Sequence, residues 1–324
     1  MSARETASRL GRLRGLDTLS DARGIFALAA MDHRDSLRIA FETAGHPTPG
    51  PERIAELKAT VARALAPHAT GLLIDVELGA PAVALGAPGP CGIVVPLEAQ
   101  GYEDVAAGRV TTFLPGFSPA LARVLGAAAC KLLLPYRPDH EASAARQDEV
   151  VREAVAGCHA EGLALVLEPI AYALPGETPE AFAAAFPSLV VASGERLQAL
   201  GPDILKVQFP RDDRGDEADW CKQLDAVCGP TPWVLLGGGG SPEVFARDLR
   251  IACAAGASGF IAGRTLWTGV IGDQDDAETW LRRVGVPLLR SLREIAQSGR
   301  PWRERAGAPA APPRDWFAQE VKDR

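Results

Sequence analysis

The chain has 324 residues, a net charge of −7 and 47% apolar residues, so it is able to form a large core. The negative charge and the lack of a basic block argue against nucleic acid or an anionic membrane surface as a partner. No run of 18 apolar residues predicts a transmembrane helix, and the Arg-rich N-terminus lacks the apolar region of a secretory signal.

Six cysteines are scattered through the chain without a Cys-x-x-Cys pair, and most lie in apolar surroundings. This usage is typical of buried, reduced thiols in a cytosolic protein rather than of disulfides. The five histidines show no spacing suited to zinc. The sequence therefore predicts a cytoplasmic protein with no metal and no cofactor.

A short predicted helix at residues 2–13 precedes eight apolar strands that alternate with segments of helical periodicity. The predicted strands cover residues 24–31, 71–75, 92–97, 130–135, 163–168, 203–210, 233–236 and 259–262. The predicted helices cover residues 51–65, 118–125, 141–161, 178–186, 189–200, 216–227, 242–254 and 277–296. This alternation favours one α/β domain over residues 1–324, a single (β/α)8 TIM barrel. We expect the barrel at about residues 24–297 and an extended C-terminal tail at 300–324.

Lys206 lies in the middle of the apolar sixth strand, where an uncompensated ammonium is costly. One interpretation is structural: the side chain lies near the strand end and its ammonium reaches solvent. The other is chemical, because a neutral buried amine attacks carbonyls and forms Schiff bases.

Charged residues on other strands favour the chemical interpretation. Asp32 follows the first strand, Lys131 lies in the fourth and Glu168 ends the fifth. In such barrels the catalytic groups sit at the carboxyl ends of the strands. Like-charge repulsion between two lysines favours a neutral amine, and a carboxylate in the same pocket can transfer protons. A purely structural network of ion pairs is the alternative, and we regard catalysis as the better explanation.

Glycine-rich loops follow the seventh and eighth strands. Gly238, Gly239 and Gly240 precede a predicted helix start, and Gly263 precedes Arg264. Barrels commonly bind phosphate at these two loops, through backbone N–H groups at a helix N-terminus. The two loops therefore predict a phosphate site.

Three further residues are candidates for contacts with a substrate. His33 follows Asp32 and is either a substrate ligand or a hydrogen-bonded histidine at a strand end, and both interpretations stay open. Asp75 ends the second strand. Arg137, in the loop after the fourth strand, is either a cation for the far end of a substrate or part of an ordinary surface loop.

The sequence resembles the class I aldolases of the tagatose-1,6-bisphosphate and sulfofructosephosphate aldolase family, from about Phe26 to the closing helix. The resemblance rests on segments that occur in the same order: Ala29-Ala-Met-Asp32, Leu72-Leu-Ile-Asp75, Lys131-Leu-Leu-Leu134, Leu167-Glu168-Pro169, Asp203-Ile-Leu-Lys206 and Gly259-Phe-Ile-Ala-Gly-Arg264. The chain departs from the family pattern at His33, where the pattern has glutamine, and in its longer glycine run.

This resemblance implies a metal-independent lyase of carbohydrate metabolism that reversibly cleaves a phosphorylated ketose into dihydroxyacetone phosphate and an aldehyde. Lys206 would form the Schiff base, and Glu168 would act as acid and base on the hydroxyl at the breaking bond. Lys131 and Asp32 would support proton transfer, while the two glycine loops would hold the phosphate. Tagatose 1,6-bisphosphate, fructose 1,6-bisphosphate and 6-sulfofructose 1-phosphate are the candidate substrates, and the family suggests a homo-oligomer.

Two other functions remain alternatives at this point. A sugar-phosphate isomerase or epimerase would use Lys206 only as an electrostatic group, without a covalent intermediate. A non-catalytic sugar-phosphate-binding protein would keep the pocket without turnover. In each case the expected partner is a small-molecule sugar phosphate, with no nucleic acid and no membrane.

Overall fold

The computed structural model describes residues 2–105, 108–271, 276–307 and 311–318; part of the predicted tail therefore lies outside the described residues. The strands are β1 (Phe26–Met31), β2 (Gly71–Ile74), β3 (Gly92–Pro96), β4 (Glu103–Val105), β5 (Gly108–Val110), β6 (Ala129–Pro135), β7 (Ala164–Ile170), β8 (Ile204–Val207), β9 (Trp233–Gly237) and β10 (Gly259–Ala262). Eight of them are parallel and close into a barrel in the order β1-β10-β9-β8-β7-β6-β3-β2, which confirms the predicted TIM barrel. β4 and β5 form a separate antiparallel hairpin that the sequence did not predict.

Helices follow the barrel strands as expected. They are α1 (Ala3–Thr18), α2 (Asp35–Thr43), α3 (Pro51–Leu65), α4 (Ala80–Ala84), α5 (Pro119–Val124), α6 (Glu141–Ala160), α7 (Pro179–Gln198), α8 (Glu217–Cys228), α9 (Pro242–Ala255), α10 (Arg264–Trp267), α11 (Ala277–Trp280), α12 (Val286–Ala296) and α13 (Trp302–Ala306). Short 3-10 turns cover Ala66–His68 and Thr268–Ile271, and a π-helical turn covers Leu281–Gly285. Among the described helices, none is long and apolar enough to cross a membrane.

Two predicted helices around Pro187 are in fact one, since α7 continues through this residue. Proline inside a helix removes one backbone hydrogen bond and crowds the preceding turn. Here Pro187 is itself buried, and Leu189, Val190 and Leu197 after it are buried as well. Burial of this apolar face outweighs the lost hydrogen bond, so the prediction of a break was wrong.

The barrel wall separates two apolar layers. Side chains that alternate along the strands fill an inner cluster, which includes Phe26, Leu28, Ala30, Leu73, Val94, Ala129, Ala164, Val166, Ile204, Val234 and Ile261. Their neighbours on the same strands, such as Leu165 and Leu205, face outward into the larger cluster beneath the helices. This period of two decides which strand residues point into the barrel.

The amino-terminal end of the barrel is closed by both ends of the chain. Leu16 of α1 and Trp302 of α13 are buried in the inner cluster. The Trp302 indole N–H donates to Ser20 Oγ at 3.1 Å, which ties the C-terminal helix to the segment before β1. The opposite, carboxyl end of the strands is therefore the end at which charged residues enter the barrel.

Candidate active site

Four charged residues each follow an inward-facing apolar residue by two positions. The apolar residues are Ala30, Ala129, Val166 and Ile204, and the charged residues above them are Asp32, Lys131, Glu168 and Lys206. Because side chains alternate along a strand, a step of two keeps the same direction. The charged residues therefore form the next inward layer toward the carboxyl end of the barrel, as the sequence predicted.

Glu168 lies between the two lysines of this layer. Its Oε1 is 2.8 Å from Lys206 Nζ, and its Oε2 is 3.1 Å from Lys131 Nζ. The three side chains are nearly fully buried, between 2% and 4% exposed. Oε2 accepts no hydrogen bond of good geometry from any described residue, so this oxygen keeps acceptor capacity.

Lys131 is held by three carboxylates. Its Nζ is 2.6 Å from Glu98 Oε1, 3.1 Å from Asp32 Oδ2 and 3.1 Å from Glu168 Oε2. Glu98 also accepts a hydrogen bond from the Leu133 backbone N–H, which fixes its carboxylate. Over the described residues, no group of three or more His, Cys, Asp or Glu side chains is arranged to hold a metal ion.

The charges in this layer shift one another's pKa. Burial lowers the pKa of Lys131, but attraction from Glu168, Glu98 and Asp32 outweighs it and raises the value well above its usual range. Burial raises the pKa of Glu168, but Lys131 and Lys206 more than offset this and hold it below its usual value. The pKa of Asp32 is lowered for the same reason, whereas burial dominates for Glu98 and raises its pKa. At neutral pH, Lys131 is thus a cation and Glu168 a carboxylate.

The loop after β9 contacts the loop after β10. Gly239 has a φ of 79°, which is open to glycine but strained for other residues. Ser241 caps α9 by accepting a hydrogen bond from the Val244 backbone N–H. Arg264, at the start of α10, donates to the Gly238 carbonyl at 3.3 Å. Gly240, two residues further along the same loop, is exposed. The two predicted phosphate loops are therefore brought together beside the lysine layer.

His33 lies where the first and last strands meet. Its ring packs edge-on against Trp267 at 5.1 Å and against Gly263, and its Nδ1 is 3.7 Å from Asp32 Oδ1. Burial, Arg264 and two nearby lysines lower the pKa of His33 to about 4, although Asp32 opposes them. The ring is neutral at pH 7, and its Nδ1 has no hydrogen-bond partner among the described residues.

Comparison with known proteins agrees with this geometry. The sequence profile of the DeoC/LacD family aldolases matches residues 26–269, which is most of the chain and includes every strand of the barrel. The chain belongs to the DeoC/LacD family of aldolases. This result confirms the resemblance found in the sequence and makes the protein an aldolase, a lyase of carbohydrate metabolism.

Relatives of this aldolase are similar along nearly their whole length. The tagatose 1,6-diphosphate aldolase of Listeria monocytogenes serotype 4b is 27% identical over 328 residues, covering 92% of this chain and 95% of the relative. The tagatose 1,6-diphosphate aldolase 1 of Streptococcus mutans serotype c is 29% identical, covering 90% and 97%. Among solved structures, fructose-bisphosphate aldolase from Plasmodium falciparum superposes with a TM-score of 0.71 at 16% identity, covering 91% of this chain and 96% of that one. At this low identity, the similarity to the Plasmodium falciparum structure shows a shared fold and nothing more.

Asp75 is not brought into the lysine layer of this aldolase. Asp75 follows the inward-facing Leu73 by two positions, as Asp32 follows Ala30, but the chain turns after β2 ends at Ile74 and the Asp75 carboxylate faces α3 instead. Asp75 is fully buried and forms an ion pair with Lys58 of α3, and it also accepts from the Leu78 N–H at 2.7 Å. Its carboxylate is therefore used within the protein, which leaves the predicted substrate contact without support.

Arg137 is likewise occupied. Its guanidinium pairs with Asp139 at 2.8 Å and with Glu177 at 2.5 Å, and it donates to the Tyr172 carbonyl. The side chain is only 2% exposed, so the surface-loop interpretation does not describe it. Arg137 joins the loops after β6 and β7, and its predicted contact with a substrate stays a prediction.

Glu98 is the residue of this layer that the list of candidates from the sequence left out. It follows β3 and is the nearest carboxylate to Lys131. A signal was present, because Glu98 is an acid just beyond a strand end, as Asp32 is. Its position four residues after the inward-facing Val94 gives it the inward direction as well.

Proposed function

We propose that this protein is a class I aldolase in which Lys206 forms a Schiff base with a ketose phosphate. Cleavage would yield dihydroxyacetone phosphate and an aldehyde, reversibly and without a metal ion. The observation that carries the proposal is the unequal surroundings of the two buried lysines inside the barrel, Lys131 and Lys206. Within the described residues, Lys131 contacts three carboxylates, whereas Lys206 contacts Glu168 alone.

This difference distinguishes the nucleophile from its neighbour. An amine must lose its proton to attack a carbonyl. Lys131 is held as a cation by its carboxylates, so it is unsuited to attack and suited to electrostatic support. Lys206 lies at the mouth with one carboxylate, Glu168 Oε1 at 2.8 Å, to receive its proton. The attack would place the substrate carbonyl beside Glu168 and Lys131.

Glu168 is placed to serve as the base for carbon–carbon cleavage. Its Oε2 has spare acceptor capacity, and its lowered pKa keeps it ionised at neutral pH. Removal of the proton from the hydroxyl two carbons from the imine releases the aldehyde. The electron pair of the broken bond moves into the protonated imine and gives an enamine. Protonation and hydrolysis of the enamine then release dihydroxyacetone phosphate and free Lys206.

Lys131 and Asp32 would orient the reacting hydroxyls and stabilise charge during proton transfer. Glu98 would act through Lys131, because it is buried and makes the shortest contact to that ammonium. Residues 238–240, with Gly263 and Arg264, would bind the phosphate next to the imine carbon. His33, neutral at physiological pH, would offer Nδ1 to a substrate hydroxyl.

A ketose 1,6-bisphosphate of the tagatose type is the proposed substrate. The support comes from the Listeria and Streptococcus relatives, which are named for tagatose 1,6-diphosphate and align over 90% or more of this chain. Fructose 1,6-bisphosphate is the C4 epimer of tagatose 1,6-bisphosphate, so it differs at the hydroxyl on which Glu168 would act, whereas 6-sulfofructose 1-phosphate also carries a sulfonate in place of the phosphate at C6. A cleavage assay over these three substrates ranks them directly. Cytoplasmic location and homo-oligomeric assembly stay predictions, testable by cell fractionation and light scattering.

Borohydride reduction in the presence of dihydroxyacetone phosphate tests the covalent mechanism. We expect a reduced adduct on Lys206, located by peptide mass spectrometry, and no adduct in Lys206→Ala. Lys58, a third buried lysine whose ammonium pairs with Asp75 outside the barrel, provides an internal control that should stay unlabelled. Trapping and cleavage by Lys206→Ala would contradict the proposal. Turnover that survives borohydride treatment with substrate would favour the non-covalent isomerase instead.

A further inference from the structure

A cationic groove lies at the end of the barrel opposite Lys206. It consists of two adjoining cavities of about 540 and 400 Å³, which share His68 and Arg290. One side is formed by α3 and the turn before β2, and the other by α11, the π-helical turn and α12. The segment 21–23, just before β1, closes one end. Residues 21–23 precede β1 and the turn at 66–68 precedes β2, so the groove reaches the amino ends of these strands, away from the mouth.

The groove has an excess of positive charge in a chain whose net charge is −7. Its arginines are Arg23, Arg63, Arg282, Arg290 and Arg293, and its acids are Asp21, Glu278 and Glu294. Within the described residues, none of these arginines lies within ion-pair distance of a carboxylate, unlike Arg137, which contacts two. A concave surface with more guanidinium groups than carboxylates attracts anions.

The side-chain hydrogen bonds of these arginines go to neutral acceptors. Arg293 donates to the His68 carbonyl at 3.3 Å, and Arg290 lies 3.4 Å from His68 Nδ1. Arg23 donates to the Gln297 carbonyl at 2.9 Å and to its side chain at 3.2 Å. Such bonds orient the guanidinium groups without neutralising them. The groove is therefore preorganised for an anion rather than closed by internal ion pairs.

The pKa of His68 responds to the positive charge inside the groove. Burial, Arg290 and Arg293 lower the pKa of His68, which means that the surrounding charge disfavours a further proton. An anion bound beside these arginines would oppose that field and raise the pKa of His68. His68 is the point at which the two cavities meet, so its ring is a natural reporter of occupancy.

We propose that this groove is a second binding site, for a small polyanion that carries phosphate groups. Arg23 and Arg293 in the larger cavity would hold one phosphate, and Arg63 and Arg282 in the smaller cavity would hold another. Arg290 lies between them. Guanidinium forks match the oxygens of phosphate in geometry and charge. The apolar side chains of Ala64, Val286 and Pro287 line the smaller cavity and would contact a linking segment.

Calorimetric titration with inorganic tripolyphosphate at physiological ionic strength tests this site. The titration is made in an Arg264→Gln background, because the phosphate loop at the mouth would otherwise compete for the probe. We expect saturable binding there, and binding about tenfold weaker after an additional Arg290→Gln substitution. Arg283→Gln is the matched control: Arg283 is exposed on the same π-helical turn as Arg282 but lines neither cavity.

Three results would overturn the proposal. They are the absence of saturable binding in the Arg264→Gln protein, equal weakening by Arg290→Gln and Arg283→Gln, and an unmoved His68 resonance. The last is measured by NMR titration of the histidine rings, where tripolyphosphate should shift the midpoint of His68 upward. A matching upward shift that Arg290→Gln diminishes would support the site independently of the binding heat.

Discussion

Two buried lysine systems lie close together in this protein and differ in how completely their hydrogen bonds are satisfied. Lys58 of α3 is fully buried, and its ammonium donates to the Met31 carbonyl at 3.0 Å, the His33 carbonyl at 2.8 Å and the Asp75 carboxylate. An ammonium has three donors, so this group is complete. The Lys58–Asp75 pair joins α3 to the ends of β1 and β2, and the Lys58 ammonium has no donor left for a ligand.

The lysine layer at the mouth is different. Lys131 contacts Asp32, Glu98 and Glu168, and Lys206 contacts Glu168 alone. The Glu168 Oε2 and His33 Nδ1 atoms have no hydrogen-bond partner among the described residues. Both systems contain a lysine with a shifted pKa: burial lowers that of Lys58, and carboxylates raise that of Lys131 despite burial. A shifted pKa alone therefore does not identify a catalytic lysine. Hydrogen-bonding atoms that lack a partner beside a reactive amine are the better criterion.

Removal of Lys206 is expected to have the largest effect, because it takes away the reactive amine that distinguishes the two lysine systems. We expect Lys206→Ala to lower kcat for ketose-phosphate cleavage by about four orders of magnitude or more, because the covalent route is lost. Steady-state kinetics over the candidate substrates measures the loss. Circular dichroism and the melting temperature serve as controls for folding. Activity within about tenfold of the parent protein would assign the reaction to another group.

Glu168→Gln separates imine formation from bond cleavage within the mouth. The amide keeps the shape but loses the base, so kcat should fall about 10²- to 10⁴-fold. Trapping of dihydroxyacetone phosphate on Lys206 should persist in this variant but be slower, because the amide cannot receive the Lys206 proton. Single-turnover trapping and steady-state cleavage, measured on the same preparation, provide the two quantities. Loss of both together would indicate that Glu168 is needed to form the imine.

Lys58→Met tests the buried Lys58–Asp75 pair, whose ammonium donors are all used. The substitution leaves Asp75 buried without its cation, which should cost about 3 to 5 kcal/mol of unfolding free energy. Urea denaturation measures this loss, and the folded fraction should keep kcat within about threefold. The double variant Lys58→Met/Asp75→Leu is the matched control and should recover part of the stability. A Lys58→Met protein that is stable but unable to cleave substrate would move this pair into the active site.

Arg264→Gln tests the phosphate loop beside the lysine layer. A charge-assisted hydrogen bond to phosphate contributes about 1.5 to 3 kcal/mol. We therefore expect KM for a ketose 1,6-bisphosphate to rise by about tenfold or more, with a smaller change in kcat. Substrate-saturation curves separate the two constants. An unchanged KM would place the phosphate elsewhere in the mouth.

His33 gives the smallest expected effect, on the pH dependence of stability. Its pKa in the folded protein is about 4, below the usual value for histidine, so the unfolded chain binds a proton more readily. This contribution to stability is complete above pH about 6.5 and is lost as the pH falls toward 4. His33→Gln should therefore flatten the fall in unfolding free energy across this window, measured by urea denaturation at several pH values. An equally steep fall in the variant would show that other groups control it.

Much of the fold and of the site followed from local pattern. The eight barrel strands are continuous apolar runs, and each was located to within a few residues. Asp32, Lys131, Glu168 and Lys206 were found because they interrupt or end such runs. Pro187 misled the prediction, since a local rule about proline does not register how much apolar surface the surrounding helix buries. Hairpin β4–β5, whose strands have three residues each, and the nine-residue helix α2 were missed.

The sequence by itself determined the kind of barrel and the residues whose charge needs an explanation, because the spacing of apolar residues is a property of each segment alone. Only the tertiary structure decided which charges meet. Asp75 and Glu98 are both acids just past strand ends, yet one faces Lys58 outside the barrel and the other faces Lys131 inside it. That choice depends on how the chain turns after each strand and on which cation lies within reach, Lys58 of α3 for Asp75 and Lys131 for Glu98. Ion pairing is set by distances between segments far apart in the chain, so no local pattern contains it.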